Sequence, residues 1–439
     1  MTGGGSAIAG LSVLLGLLVL RVPLGPAMLL VGMGGYAALA GPGPLLAYLK
    51  SAAYWRFASY DFSVIPMFLL MGQFAAESGL STSLFTAANA FLGHRRGGVA
   101  MAAVGACAAF GTICGSSLAT AGTMSRVALP ELQRYRYSGA LATGALAAGG
   151  TLGILIPPSV VLIVYAVAVQ ANIVRLFEAA LIPGLLALVG FLLTIAIYVR
   201  VVPASGPVGR RTGAADRWRA LMSTLPILAL FLVVIGGIYL GFFDPTEAAA
   251  IGAAGAGILA LWRRRLNGAA FLRCLLAVAS STAMIFSILL GADFLNIFLA
   301  LAGFPAYVAS LAANSGLDPY LVLTLIITFY IVLGCVMDSL AMIFLTVPIF
   351  WPIVAGLNFG LSATDLQMWF GIIVLVVVEL GLMTPPVGIN VLIINANAPG
   401  VSLRESFAGT LPFLLCGIVQ LIVLVCFPAI TLYLPRLLN

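Results

Sequence analysis

Charge is what this sequence most lacks. Of its 439 residues only 8% are charged, while 62% are hydrophobic. Soluble domains carry roughly 25% and about 45–50% respectively. Apolar surface on that scale needs hydrocarbon around it, so the composition is that of an integral membrane protein. No stretch is polar enough for a soluble domain, which leaves no room for an ATPase module. Lysine is nearly missing: Lys50 stands alone beside 19 arginines, and no glycine-rich loop ends in Lys-Ser or Lys-Thr. A P-loop is thereby excluded, and any work must draw on an ion gradient or a partner. The six cysteines (Cys107, Cys114, Cys274, Cys335, Cys416, Cys426) form no CxxC pair and read as small buried hydrophobes. The net charge of +7 sits in short loops between apolar runs. It is a topology signal, and no nucleic-acid partner is expected. Residues 1–9 lack a basic n-region, so the first hydrophobic run reads as a retained helix.

A membrane-crossing helix needs about 20 apolar residues. The clear spans are residues 62–78, 97–110, 173–199, 225–243, 245–262, 274–298, 317–333, 367–382 and 410–434, preceded by two short segments, 7–20 and 22–40, split at Arg21 and Pro23. Residues 81–92, ending in His94, Arg95 and Arg96, read as an amphipathic helix along the interface. Arg200, Arg210, Arg211, Arg217 and Arg219 precede the hairpin of spans 225–243 and 245–262; Arg263, Arg264, Arg265 and Arg273 follow it. Two spans return the chain to one side, so both clusters mark the same, cytoplasmic, face.

Four apolar stretches are too broken by Gly, Pro, Ser and Thr to be plain helices: 111–130, 141–170, 334–352 and 381–399. They match in pairs. Gly115-Ser116-Ser117-Leu118-Ala119, with Pro130 beyond it, corresponds to Val336-Met337-Asp338-Ser339-Leu340-Ala341, with Pro352 beyond it, at an offset of 222 residues. Gly153-Ile154-Leu155-Ile156-Pro157-Pro158 corresponds to Gly381-Leu382-Met383-Thr384-Pro385-Pro386 at an offset of 228. A helix broken inside the membrane exposes backbone groups that lipid cannot satisfy, so it survives only where it lines a cavity or is buried in protein. Corresponding breaks in two halves point to a secondary transporter whose site lies at the repeat interface. Unwound carbonyls and hydroxyls are hard ligands for a small cation, and half-helix N-termini favour an anion.

Single residues admit plainer roles. Ser116, Ser117, Thr120 and Thr123 suit close interhelical packing as well as a site. The Pro-Pro pairs are kinks or the shapers of discontinuous helices. Asp338, a carboxylate in an apolar run, is expected to bind a cation or build the site. Glu379 is either a hydrogen-bonded structural acid or a coupling site. Arg126 could meet a substrate carboxylate or a lipid phosphate, and His94 reads as interfacial.

The run Gly115 to Glu131 (GSSLATAGTMSRVALPE) resembles the signature of the large membrane subunit of tripartite ATP-independent periplasmic (TRAP) transporters. So do ATGALAAGGTLGILIPPS from Ala142 to Ser159, PTEAAA from Pro245, GCVMDS from Gly334, and ELGLMTPPVGIN from Glu379 to Asn390. The likeness covers essentially the whole chain in order. It implies an all-α polytopic membrane protein built from two inverted repeats, 1–215 and 216–439, each with a re-entrant hairpin (about 111–130 and 334–352) and a Pro-Pro break (157–158 and 385–386). It also implies an elevator, in which a scaffold holds still while a transport domain slides. By the same resemblance, two or more Na⁺ ions would be held by Gly115, Ser117, Gly153, Asp338, Ser339, Thr384, Pro385 and Gly388. An organic-acid substrate would be met by Ser116, Ser117, Thr120, Arg126, Pro157, Pro158 and Asn390. The implied partners are a small four-helix (Q) membrane subunit, expected as a separate chain because 439 residues leave no room to fuse it, and a periplasmic substrate-binding (P) protein. The implied location is the lipid bilayer of the bacterial inner membrane. Ser116 stands where the second half has Asp338, so the two halves should differ in charge.

A stand-alone sodium–dicarboxylate symporter also pairs hairpins, but its Ser-Asn-Thr tips are missing here. A channel would need rings of charge or a repeated filter motif. An intramembrane protease, the enzyme alternative, would need Ser with His, paired Asp or HExxH. His94 is the sole histidine, and Asp338 has no evident partner in the sequence.

Overall fold

The computed structural model describes residues 3–58, 60–209, 211–314 and 317–438, and those residues form twenty α-helices, two short 3-10 turns and no strand. In chain order the helices are α1 (Gly3–Val19), α2 (Leu24–Ala40), α3 (Pro42–Phe57), α4 (Val64–Glu77), α5 (Leu80–Leu92), α6 (Gly98–Cys114), α7 (Ser117–Arg134), α8 (Gly139–Leu155), α9 (Val160–Val169) and α10 (Ile173–Val201). They continue with α11 (Ala214–Tyr239), α12 (Pro245–Trp262), α13 (Gly268–Leu301), α14 (Phe304–Asn314), α15 (Pro319–Gly334), α16 (Ser339–Ala355), α17 (Ala363–Met383), α18 (Ile389–Ala396), α19 (Leu403–Cys426) and α20 (Pro428–Leu438). α10, α11, α13, α17 and α19 are each long and apolar enough to cross a bilayer. The bent pairs α4–α5 (65°) and α8–α9 (45°) reach that length together. The protein is therefore an all-α, multi-pass membrane protein.

Three expected boundaries change. The stretches 97–110 and 317–333 fall on the short apolar helices α6 and α15. α6 and α15 have 17 and 16 residues, about 25 Å at 1.5 Å per residue, short of the ~30 Å hydrocarbon thickness. Each turns back as α7 or α16, so the hairpins run from 98 to 134 and from 319 to 355, while their tips lie inside the expected stretches. The expected span 410–434 is broken at Phe427 (φ −126°, ψ 74°). Pro428, without an N–H to donate, opens α20 there.

Two groups of helices pack around different cores. In one, the 34-residue α13 lies along α2. Their backbones nearly touch: a Cβ on Gly32 would sit 2.5 Å from the Leu295 nitrogen, the small-residue packing expected between membrane helices. α4 packs on α12 and α13, and α11 on α12 and α5. In the other group α8 is wrapped by α6, α7, α10 and α19, and α17 by α10, α15 and α19. α8 is buried from Leu141 to Leu155 and α17 from Met368 to Met383, which accounts for helices apolar all round. The groups meet where α4 and α5 reach α6, and where α13 and α14 reach α16.

Arginines of both clusters tie the start of α11, the end of α12 and the α4–α5 segment together. The Arg263 guanidinium donates to the Ser223 carbonyl at 2.6 Å, the Ser78 carbonyl at 3.3 Å and Ser83 Oγ at 3.2 Å. Arg217 Nε donates to the Ala90 carbonyl at 3.1 Å. Arg210 lies outside the described residues. The 81–92 segment is helical as α5 and buries Leu84 and Phe85. Cys107, Cys114, Cys274 and Cys335 are buried free thiols, whereas Cys416 is half-buried and Cys426 exposed.

Candidate functional site

The two hairpin tips are built differently and converge. α6 ends on Gly115 in the left-handed region (φ 64°), where its N–H closes on the Gly111 carbonyl at 2.7 Å. Only glycine takes that conformation cheaply. Ser116 then caps α7, its Oγ accepting a long hydrogen bond from the Ala119 N–H at 3.4 Å. At the second tip Asp338 caps α16, its Oδ1 accepting from the Ala341 N–H at 2.7 Å. Both tips open onto one cavity of about 250 Å³. It is lined by Gly115, Ser116, Ser117, Leu118 and Ala119 from the first half, Leu340, Ser339 and Asp338 from the second, Ile154, Val160 and Val161 beside the first break, and Leu69, Ser281, Met284 and Ile285 from α4 and α13.

The cavity is lined by hydroxyls, backbone and one carboxylate, with no Arg, Lys or His among the lining residues. All its polar side chains are oxygen donors of the kind hard cations prefer. Two helix N-termini, of α7 and α16, open onto it, with the Ala119 and Ala341 N–H groups taken up by the Ser116 and Asp338 caps; helix N-termini in general favour an anion. A cation together with an anion therefore fits this lining better than either alone.

Other predicted residues take up distinct positions. Ser117 is 2% exposed, and its Oγ donates across the two halves to Glu379, 3.3 Å from Oε1 and 3.5 Å from Oε2. Thr120 Oγ1 donates to the Ser116 carbonyl at 2.7 Å. A Cβ on Gly153 would lie 2.8 Å from Thr120 Oγ1 and 3.2 Å from the Ser116 carbonyl, and one on Gly115 would lie 3.4 Å from the Pro158 carbonyl. The buried Pro157–Pro158 break thus abuts the first tip. Both Pro-Pro peptide bonds are cis. Thr384 Oγ1 donates to the Leu380 carbonyl at 2.6 Å, Pro385 is exposed, and Gly388 (φ 55°) starts α18; none of the three lines the cavity. Asn390 is fully buried on α18, which packs on α7 and α8, and among the described residues neither of its side-chain polar atoms has a partner. Arg126 does not join the tips: it is exposed, nine residues along α7 from Ser117, and its Nε donates to the Gly122 carbonyl of its own helix at 3.1 Å. Thr123 is half-buried on the same helix.

Three features escaped the sequence reading. Ser281 reaches the cavity from α13, where a small hydroxyl in a long apolar helix carries no distinguishing signal. Glu178 on α10 and Asp293 on α13 are further acids in apolar helices, which a full census of acidic residues would have found. The third is a pair of glycine contacts, one in each half. A Cβ on Gly111 would lie 2.4 Å from the Gly153 Cα, and one on Gly381 would lie 2.5 Å from the Gly334 Cα. In both, the first arm of a hairpin touches the helix that ends in a Pro-Pro break.

The helical arrangement has a structural relative. It is similar to the Alcanivorax borkumensis YdaH transporter, with a TM-score of 0.60 over 88% of this chain and 89% of that one, at 14% identity, a likeness of fold alone. The model of the tripartite ATP-independent periplasmic transporter DctM component matches residues 11–430, and the chain belongs to that family. It is 36% identical over 382 residues to the C4-dicarboxylate TRAP transporter large permease protein DctM of Pseudomonas aeruginosa, covering 86% of each. The sialic acid large permease SiaM of Vibrio cholerae is 26% identical over 86% of this chain and 87% of its own. The isethionate permease DctMQ of Oleidesulfovibrio alaskensis is 29% identical over 96% of this chain and 66% of its own length.

Proposed function

We propose that this chain is the permease subunit of a sodium-coupled TRAP system that imports an organic acid, a C4-dicarboxylate, sialic acid or similar carboxylate, across the bacterial inner membrane. The observation that carries the proposal is the convergence of two hairpin tips, 222 residues apart in sequence, on one cavity that holds a carboxylate and hydroxyls but no basic side chain. The substrate carboxylate meets the helix termini of α7 and α16, with Ser116 at the first tip. Sodium ions, taken up as co-substrate, supply the positive charge that the lining lacks. Gly115 and Ser117 on one side, and Asp338 and Ser339 on the other, provide the oxygen cage. Asn390, buried without a partner among the described residues, is held for a ligand.

In this reading the halves 1–215 and 216–439 are inverted repeats. The group around α8 and α17 slides against the group around α13 and α2, carrying the cavity from one face to the other. A soluble periplasmic protein delivers the substrate, and a separate small membrane subunit completes the static part. Uptake into proteoliposomes that hold this chain with its small membrane subunit, with and without a purified periplasmic binding protein and an inward sodium gradient, tests this. Accumulation is expected only with both. Accumulation by this chain alone would replace the tripartite reading with a self-sufficient symporter, and indifference to sodium would remove the coupling ion.

A further inference from the structure

We infer that Glu379 is a positioning residue for the first hairpin tip, a role that rests on the tips being the transport site. Glu379 stands on α17, five residues before Thr384, among buried Val376, Val377, Val378, Leu380 and Leu382. A carboxylate has about four acceptor sites, and holding one among aliphatic side chains is costly unless donors meet it. Among the described residues Ser117 is its hydrogen-bond partner, through one hydroxyl shared between both oxygens at 3.3 and 3.5 Å. Fold stability alone would be better served by an apolar residue there.

Ser117 is the first helical residue of α7 and lines the cavity. With its hydrogen committed to Glu379, its Oγ offers the cavity only lone pairs, which makes it an acceptor for a cation and not a donor to an anion. The second half thus sets the orientation, and therefore the ligand character, of a group in the first half 262 residues away in sequence.

The test compares S117A, E379A, E379Q and the S117A/E379A and S117A/E379Q double variants. Each is purified and reconstituted, with half-saturating sodium, half-saturating substrate, maximal uptake and melting temperature all measured. Losing this hydrogen bond predicts a roughly tenfold rise in half-saturation for S117A and for E379A. The double variants should be no worse than S117A, and E379Q, which keeps an acceptor oxygen at the same reach, should stay within about twofold of the parent. Additive losses would overturn the inference. So would unchanged half-saturation in a folded E379A, or an E379Q as impaired as E379A, which would assign the effect to charge instead of position. If E379A fails to fold, S117A against S117A/E379Q carries the comparison, and a further loss in the double variant refutes the pair. Sodium-independent uptake by the parent would count against the coupling ion alone, because the cycle remains readable in the substrate constant.

Discussion

Asp338 does two things that one substitution can separate. It caps α16 through Oδ1 to the Ala341 N–H at 2.7 Å, and it brings the sole formal charge to the cavity lining. Asparagine caps a helix about as well as aspartate, whereas alanine forfeits roughly 0.5–2 kcal/mol. D338N should therefore melt within a few tenths of a kcal/mol of the parent, and D338A about 1 kcal/mol below it. The charge is a separate quantity. A monovalent cation about 4 Å from a carboxylate at an effective dielectric of about 20 gains roughly 4 kcal/mol. Desolvation and the remaining oxygen ligands offset part of that, leaving a net loss of about 1–2 kcal/mol, or roughly a 5- to 30-fold rise in half-saturating sodium. The assay is sodium-dependent uptake in proteoliposomes alongside thermal unfolding of the same preparations. Both variants should show the sodium defect and only D338A the stability defect. A D338N protein with parental sodium dependence would refute the assignment of this carboxylate to a cation. Equal destabilisation of the two would refute the capping half.

Three further outcomes follow from the geometry. G381A places a Cβ 2.5 Å from the Gly334 Cα and should lower stability by about 1–3 kcal/mol through overpacking. G16A, with nothing within 4 Å, should leave it unchanged or raise it by about 0.5–1 kcal/mol; equal melting of the two variants would contradict the packing. N390L should abolish uptake while raising stability by about 1 kcal/mol, because a buried amide without a partner costs roughly 1–3 kcal/mol; a less stable N390L would mean that the side chain is structurally satisfied. R263A should lose about 1 kcal/mol by releasing the carbonyls of Ser78 and Ser223, and R263K should recover less than half, since an ammonium cannot span the fork; full recovery in thermal unfolding would argue against guanidinium geometry.

What the sequence disclosed was set by which constraints are local. Breaks at Pro157–Pro158 and Pro385–Pro386, and tips at Ser116 and Asp338, were legible because proline and glycine act on the backbone wherever they stand. Hairpin arms were not: an apolar 17-residue helix such as α6 carries no local sign that the next helix folds back against it. The break at Phe427 was hidden because apolarity continues through it. Glu379 was visible as an acid out of place, but its partner Ser117 is contributed by the other half and has no signature in the intervening chain. Arg126 looked like an anion contact from the tip motif alone; helix rise puts nine residues, about 13 Å, between it and Ser117.

The glycine contacts bear on where this molecule is stiff. Where Gly111 meets Gly153 and Gly334 meets Gly381, one backbone rests on another with no side chain between them. Side chains are the compliant layer of a helix interface, since they change rotamer and absorb small shifts. With that layer removed, a hairpin arm and its neighbouring broken helix form a seam with little give, made the same way in each half. Displacement is then left to seams padded by larger side chains, such as the boundary where Met284 and Ile285 of α13 face the tips. In the sliding motion proposed above, the cargo site would travel with little deformation.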